Sequence, residues 1–247
     1  MIRNIAYSNT HPRHRLDIYR PKGVTNYPVL MFVSGGGWSS GSKAWVANVG
    51  TAFAKQGIGV VIVDHRLQPE VSYAGQVEDL AQAFAWIKQH ITTYGGDPSR
   101  LIVGGHSAGG HLISLLAMDA RYLNAVGYGL SDIVGVISVS GALDVGNRFG
   151  GSGDSRVASP INHVRGGLPP FLLMWAEHDF PQLPTQANRM KAALDAVGVS
   201  VKRAEIANRD HFDITHHIGS QNDDATRIIS EWMNLLIIRN VGERVTR

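Results

Sequence analysis

The chain has 247 residues, 44% of them hydrophobic and only 17% charged, which suits one packed core and argues against extended disorder. It contains no cysteine, so disulfides, thiolate metal sites and a cysteine nucleophile are excluded together. The formal net charge is +3; its lysines and arginines are spread along the chain with no basic block interleaved with aromatics, which argues against nucleic acid as a partner. Residues 1–5 lack the apolar core of a signal peptide, and no apolar run reaches membrane-spanning length. The expectation is a cytoplasmic protein of one domain, residues 1–247, with no membrane association; a homo-oligomer is compatible with this reading.

In chain order, residues 2–19 alternate loosely around the turn-prone Asn9-Thr10-His11-Pro12 and predict an antiparallel hairpin at a sheet edge. Residues 29–33 form the first continuous apolar run, and Ser34-Gly35-Gly36-Gly37-Trp38 follows it directly. Further β-type runs lie at 60–63, 101–104, 133–139, 171–175 and 201–206, read as strands apolar on both faces in the interior of a parallel sheet. Between the strands, Val77, Leu80, Ala81, Phe84 and Ile87 recur at helical spacing, as do Ile228, Ile229, Trp232, Leu235 and Leu236 near the C-terminus. Both sets read as core-facing helix stripes. Alternating strands and helices predict an α/β protein with a mostly parallel central sheet flanked by helices. Residues 141–170 break the alternation with Gly, Ser, Asn and Pro; a loop of that length in a compact domain is usually functional, and this one is expected to border the active site.

The chemistry begins at Gly105-His106-Ser107-Ala108-Gly109, a G-x-S-x-G pentapeptide entered by the 101–104 strand and left by an apolar helix over 112–118. That context predicts a strand-turn-helix elbow with Ser107 as nucleophile and the Ala108 N–H at a helix N-terminus. Glycines two positions either side of the serine permit the crowded turn. The earlier Gly35-Gly36-Gly37 run, placed after a strand, can turn main-chain N–H groups toward the developing charge of a tetrahedral intermediate.

With these motifs, Val63-Asp64-His65-Arg66-Leu67-Gln68-Pro69-Glu70 and Gly95-Gly96-Asp97-Pro98-Ser99-Arg100, the chain resembles the α/β-hydrolase serine esterases related to hormone-sensitive lipase. It is most similar to the small feruloyl-esterase-like and arylformamidase-like members with an H-G-G-x-W segment. The resemblance covers most of the chain and implies the α/β-hydrolase fold without a large cap domain, and a carboxylesterase that needs no cofactor. It also implies that Gly36, Gly37 and Ala108 supply the oxyanion N–H groups. Ser34 departs from the pattern, standing where the family usually has a histidine that supports the loop.

Chain order in this fold is serine, acid, histidine. Asp179, after the 171–175 strand, corresponds to the family's G-x-x-D acid, with Glu177 and Asp144 as rivals. His211, in Asp210-His211-Phe212 before the last helix, is the expected base, with His216 and His217 as rivals. His106 and His111 read as packing or capping residues. A metal site from His211, Asp213, His216 and His217 matches no established ligand spacing. Asp64, Arg66 and Glu70 read as a structural polar network near the oxyanion loop. Trp38, Phe180 and Phe212 are expected to wall the substrate pocket. The expected reaction is hydrolysis of short-chain or aryl carboxylic esters through an acyl-enzyme, without activation at a lipid interface. An arylformamidase or amidase is the enzyme alternative, and a non-catalytic ligand-binding or interaction scaffold is the alternative of another class.

Overall fold

The computed structural model describes residues 1–146, 148 and 155–245. Eight strands, β1 (Ile2–Ala6), β2 (Arg15–Tyr19), β3 (Tyr27–Val33), β4 (Gly59–Val63), β5 (Gly96–His106), β6 (Gly135–Val139), β7 (Phe171–His178) and β8 (Val201–Asp210), form one sheet in the order β1-β2-β4-β3-β5-β6-β7-β8. β1 pairs antiparallel with β2, and β2 antiparallel with β4. Every pairing from β4 through β8 is parallel. The helices are α1 (Ala47–Ala54), α2 (Tyr73–His90), α3 (Ala108–Met118), α4 (Ala120–Asn124), α5 (Ser155–Ala158), α6 (Gln182–Ala196), α7 (Asp213–His216) and α8 (Asp224–Val245).

Period-two alternation divides the core between the two faces of the sheet. Val29, Met31 and Val33 of β3 join Val77, Leu80 and Phe84 of α2 and Leu112, Leu115 and Leu116 of α3. Leu30 and Phe32 turn the other way, against Val49 and Phe53 of α1 and Ile229, Trp232, Met233 and Leu236 of α8. Strands buried on both faces must be apolar throughout, as the reading of 29–33 and 60–63 assumed.

Two expectations fail for positional reasons. The 201–206 strand is not interior: β8 lies at the sheet edge with one neighbour, and of its residues only Ile206 is buried, which leaves room for Lys202, Arg203 and Glu205. Leu235 does not face the core; it is 55% exposed, and the buried stripe runs through Ile229, Trp232, Met233 and Leu236. In the 141–170 segment, α5 and a 3-10 turn at Pro160–His163 punctuate the chain; residues 147 and 149–154 of that expected loop lie outside the described residues.

The topology fixes where a site can form. From β3 the chain goes to β4 on one side and then to β5 on the other. Ligands bind in the crevice at such a switch point, beyond the carboxyl ends of parallel strands. There Val33 pairs with Gly105, and His106 with Val139.

Candidate active site

Ser107 sits at the tip between β5 and α3 with φ 54° and ψ −120°, a conformation that costs a non-glycine residue about 1–3 kcal/mol. The surroundings hold it there: its N–H donates to the Val139 carbonyl at 2.9 Å, and its carbonyl accepts from the His111 N–H at 3.0 Å. The flanking glycines answer to close approach. A Cβ on Gly105 would stand 2.5 Å from the Gly109 backbone, and one on Gly109 would stand 2.5 Å from the Val33 carbonyl oxygen.

Three side chains from three separate loops converge. The Ser107 Oγ lies 2.9 Å from His211 Nε2, and His211 Nδ1 lies 2.6 Å from Asp179 Oδ1. His211 follows β8 and precedes α7; Asp179 follows β7. The Asp179 side chain is fully buried. Burial pushes its carboxyl up, but hydrogen bonds from His211, Ser140 and the Ala176 N–H outweigh that and hold it below the usual carboxylate range. Its Oδ2 accepts from Ser140 Oγ at 2.5 Å and from the Ala176 N–H at 3.1 Å, and its Oδ1 from the Phe180 N–H at 2.9 Å. A carboxylate satisfied this way stays charged and fixes one imidazole tautomer.

Three of the four rival residues are engaged with other partners. Asp144 pairs with Arg189 at 2.8 Å, and Glu177 accepts from the Asn208 N–H at 2.8 Å. His217 faces Asp213 at 3.9 Å, and His216 lies on the wall of the recess. His106 packs on His211 with ring centroids 4.8 Å apart and bonds the His211 carbonyl at 2.7 Å; burial, aided by the nearby His211, keeps its pKa down to about 4. Among the described residues no group of three or more His, Asp or Glu side chains is arranged to hold a metal ion. Nor is any described helix long and apolar enough to cross a membrane.

The glycine loop packs against this elbow. A Cβ on Gly35 would lie 2.9 Å from both His106 Nδ1 and Ser107 Cβ; Gly36, at φ 138°, could not carry one without meeting the Ser40 carbonyl at 2.3 Å. With serine at position 34, the loop takes its support from Trp38. The Trp38 carbonyl accepts from the Gln68 N–H at 2.9 Å and from the buried Gln76 Nε2 at 2.7 Å. The Trp38 indole N–H donates to His111 Nδ1 at 3.0 Å, so His111 carries its proton on Nε2 and gives it to the Ala158 carbonyl at 2.8 Å. Burial depresses the His111 pKa to about 4, consistent with a ring that must accept on one side.

Asp64, Arg66 and Glu70 are all paired, each with a partner outside the trio. Arg66 meets the buried Asp79 at 2.6 Å, Asp64 accepts from the Lys43 N–H at 2.6 Å, and Glu70 meets His11 at 2.9 Å. Sequence reading missed Gln76, Asp79 and Ser140. The available signal for the first two was a pair of polar residues interrupting the α2 stripe beside Val77 and Leu80.

A recess of about 630 Å³ opens over Ser107 and His211. The three expected wall residues line it: Trp38 from below, with Phe180 and Phe212 at the mouth. The Phe180 ring stacks on His211 at 4.2 Å between centroids, and Phe212 meets Phe180 edge-on at 6.3 Å. Trp45, which sequence reading passed over, is also on the wall and exposed.

Comparison with known proteins agrees with this architecture. A family profile described as BD-FAE matches residues 16–127. The chain is 29% identical over 244 residues to a probable isoprenylcysteine alpha-carbonyl methylesterase of Arabidopsis thaliana, covering 86% of this chain and 51% of that protein. It is 27% identical to the esterase LipQ of Mycobacterium tuberculosis, over 98% of this chain and 64% of that one. The chain thus spans about half to two thirds of the length of these curated relatives. Among solved structures, a thermophilic esterase of Thermogutta terrifontis with propionate bound superposes with a TM-score of 0.79 at 23% identity, covering 96% of this chain and 93% of that one. Esterase B of Lactobacillus rhamnosis gives a TM-score of 0.83 at 21% identity, over 99% of this chain and 87% of that one. These likenesses show an α/β-hydrolase fold.

Proposed function

We propose that this α/β-hydrolase is a serine carboxylesterase acting on small ester substrates. The observation that carries the reading is the unbroken hydrogen-bonded line from Asp179 through His211 to Ser107, ending at the floor of the recess beside the glycine loop. His211 Nε2 takes the Ser107 proton as Oγ attacks the carbonyl carbon. The negative charge that develops on the carbonyl oxygen is met by the N–H groups of Gly36, Gly37 and Ala108, each such donor being worth about 2.7–4 kcal/mol in comparable enzymes. The tetrahedral intermediate collapses, the alcohol leaves with the proton from His211, and the acid remains on Ser107. Water, deprotonated by the same imidazole, then frees the acid. Asp179 keeps its charge throughout and stabilises the imidazolium.

The relatives' names support an ester as substrate, and the exposed aromatic mouth suits a short acyl or an aryl group better than a long lipid chain. The described part of the 141–170 excursion holds one helix of a single turn, α5, and the 3-10 turn at Pro160–His163, and those described elements are too short for a broad apolar lid. A fluorophosphonate probe should label Ser107 alone, and Ser107→Ala should fold and lose both labelling and turnover. Rates on p-nitrophenyl acetate, butyrate, octanoate and palmitate, with N-formylkynurenine alongside, test the substrate class. Best turnover of the formamide would make the chain an amidase, a rate jump at emulsion formation would make it a lipase, and inertness toward every substrate would favour a binding scaffold.

A further inference from the structure

Charge inside the recess is unevenly matched. Asp144 is the one acidic side chain among the described residues lining it, and it is already paired with Arg189 at 2.8 Å. Arg148 also lines the recess, held by a turn in which its N–H donates to the Val145 carbonyl at 3.0 Å. Its guanidinium carbon lies 4.6 Å from the centre of the Trp38 ring. Among the described residues no carboxylate lies within ion-pair distance of it. Among the described residues, the recess therefore presents one arginine with no anionic partner, over the aromatic residue that follows the oxyanion glycines.

A guanidinium held over an indole still has N–H groups to donate, and their fork matches the two oxygens of a carboxylate. Trp38, Val145, Phe180 and Leu183 line the same recess, and Arg148 is exposed at its edge, where an entering carboxylate can reach it. We propose that Arg148 makes this enzyme selective for esters that carry a carboxylate a few bonds from the scissile bond, such as half-esters of short dicarboxylic acids or acyl esters of hydroxy acids. This rests on the esterase reading and names its substrate class.

The experiment compares kcat/KM for two matched pairs at neutral pH. Monoethyl glutarate against ethyl pentanoate places the charge on the acid side, and 3-acetoxypropanoate against butyl acetate places it on the alcohol side. In the wild type one anionic ester should exceed its neutral partner by about threefold or more, the range expected of a charge pair at an exposed site. Arg148→Met should bring that ratio to one or below, and Arg148→Lys should restore part of it. A wild-type ratio at or below one in both pairs overturns the inference, as does a preference that survives in Arg148→Met. Neutral esters and probe labelling of Ser107 separate the two levels: turnover of ethyl pentanoate without anionic preference removes this inference alone, whereas no turnover and no labelling removes the esterase reading and this inference with it.

Discussion

Trp38 and Phe212 both line the recess, yet the first is 6% exposed and the second 56%. Trp38 is bonded through its carbonyl to Gln68 and Gln76 and through its indole to His111, which ties the glycine loop to α2, to α3 and to Ala158. At the mouth, Phe180, Phe212 and Trp45 stand out toward solvent, and the polar contact there is the half-open Asp144–Arg189 pair, a kind worth at most about 1 kcal/mol. The inner wall must place donors to within a fraction of an ångström for the chemistry to work. The mouth only has to receive what enters, so it can change residue by residue without disturbing the floor.

If that division holds, substitutions should grade from the buried line outward. Asp179→Asn should lower kcat by about four orders of magnitude, because an amide can hold the wrong imidazole tautomer, whereas Asp144→Asn should stay within a few-fold of wild type. Steady-state rates of the two variants decide it; the reverse ranking would mean that the base is oriented from the mouth and not from the buried side.

Next in size is an acid effect on folding. His65, His106 and His111 are buried, and burial lowers each to about 4 from an ordinary 6.5. The unfolded chain then binds more protons than the folded one between those values. Stability is complete above 6.5 and declines as pH falls toward 4, by up to roughly 1.4 kcal/mol per pH unit for each ring. Urea midpoints at pH 7.5, 6.5, 5.5 and 4.5 should fall progressively below the second value. Constant midpoints would show that these rings take up protons in place and that the inner side is less closed than described.

Smaller again, Gln76→Ala and His111→Phe should each reduce kcat by on the order of tenfold with little change in KM, since a displaced oxyanion donor weakens only the transition state. His111→Gln, which can still accept from the indole, should recover part of the loss. An increase in KM at unchanged kcat would make Trp38 a substrate wall and nothing more. The smallest effect belongs to Phe212→Ala, expected to shift KM for p-nitrophenyl butyrate by about threefold or less, because the exposed ring gives up only part of its apolar contact.

The same division governs what could be read from sequence. The elbow was legible because Gly105 and Gly109 touch backbone and tolerate no side chain, so the local string records the turn. His211 and Asp179 were legible through their order after particular strands, with rivals that only geometry removes. Gln76 was not, since its bond to Trp38 spans 38 positions, nor was Ser140, whose bond to Asp179 spans 39; neither contact leaves a periodic trace. β8 was misread as interior because its apolar residues say nothing about how many neighbours a strand has. Only the sheet order places it at the edge.

The backbone at Ser107 has a consequence for how such a protein could drift. A residue at φ 54° and ψ −120° is poorly suited to any L-side chain and comfortable for glycine. Ser107→Gly should therefore relieve about 1–3 kcal/mol of strain and raise the melting temperature by several degrees, while abolishing hydrolysis. Loss of the reaction would run downhill in folding free energy. A lineage released from selection for turnover would drift easily toward a sturdier, silent descendant with the recess intact, and only continued demand for the chemistry keeps the less stable residue at the elbow.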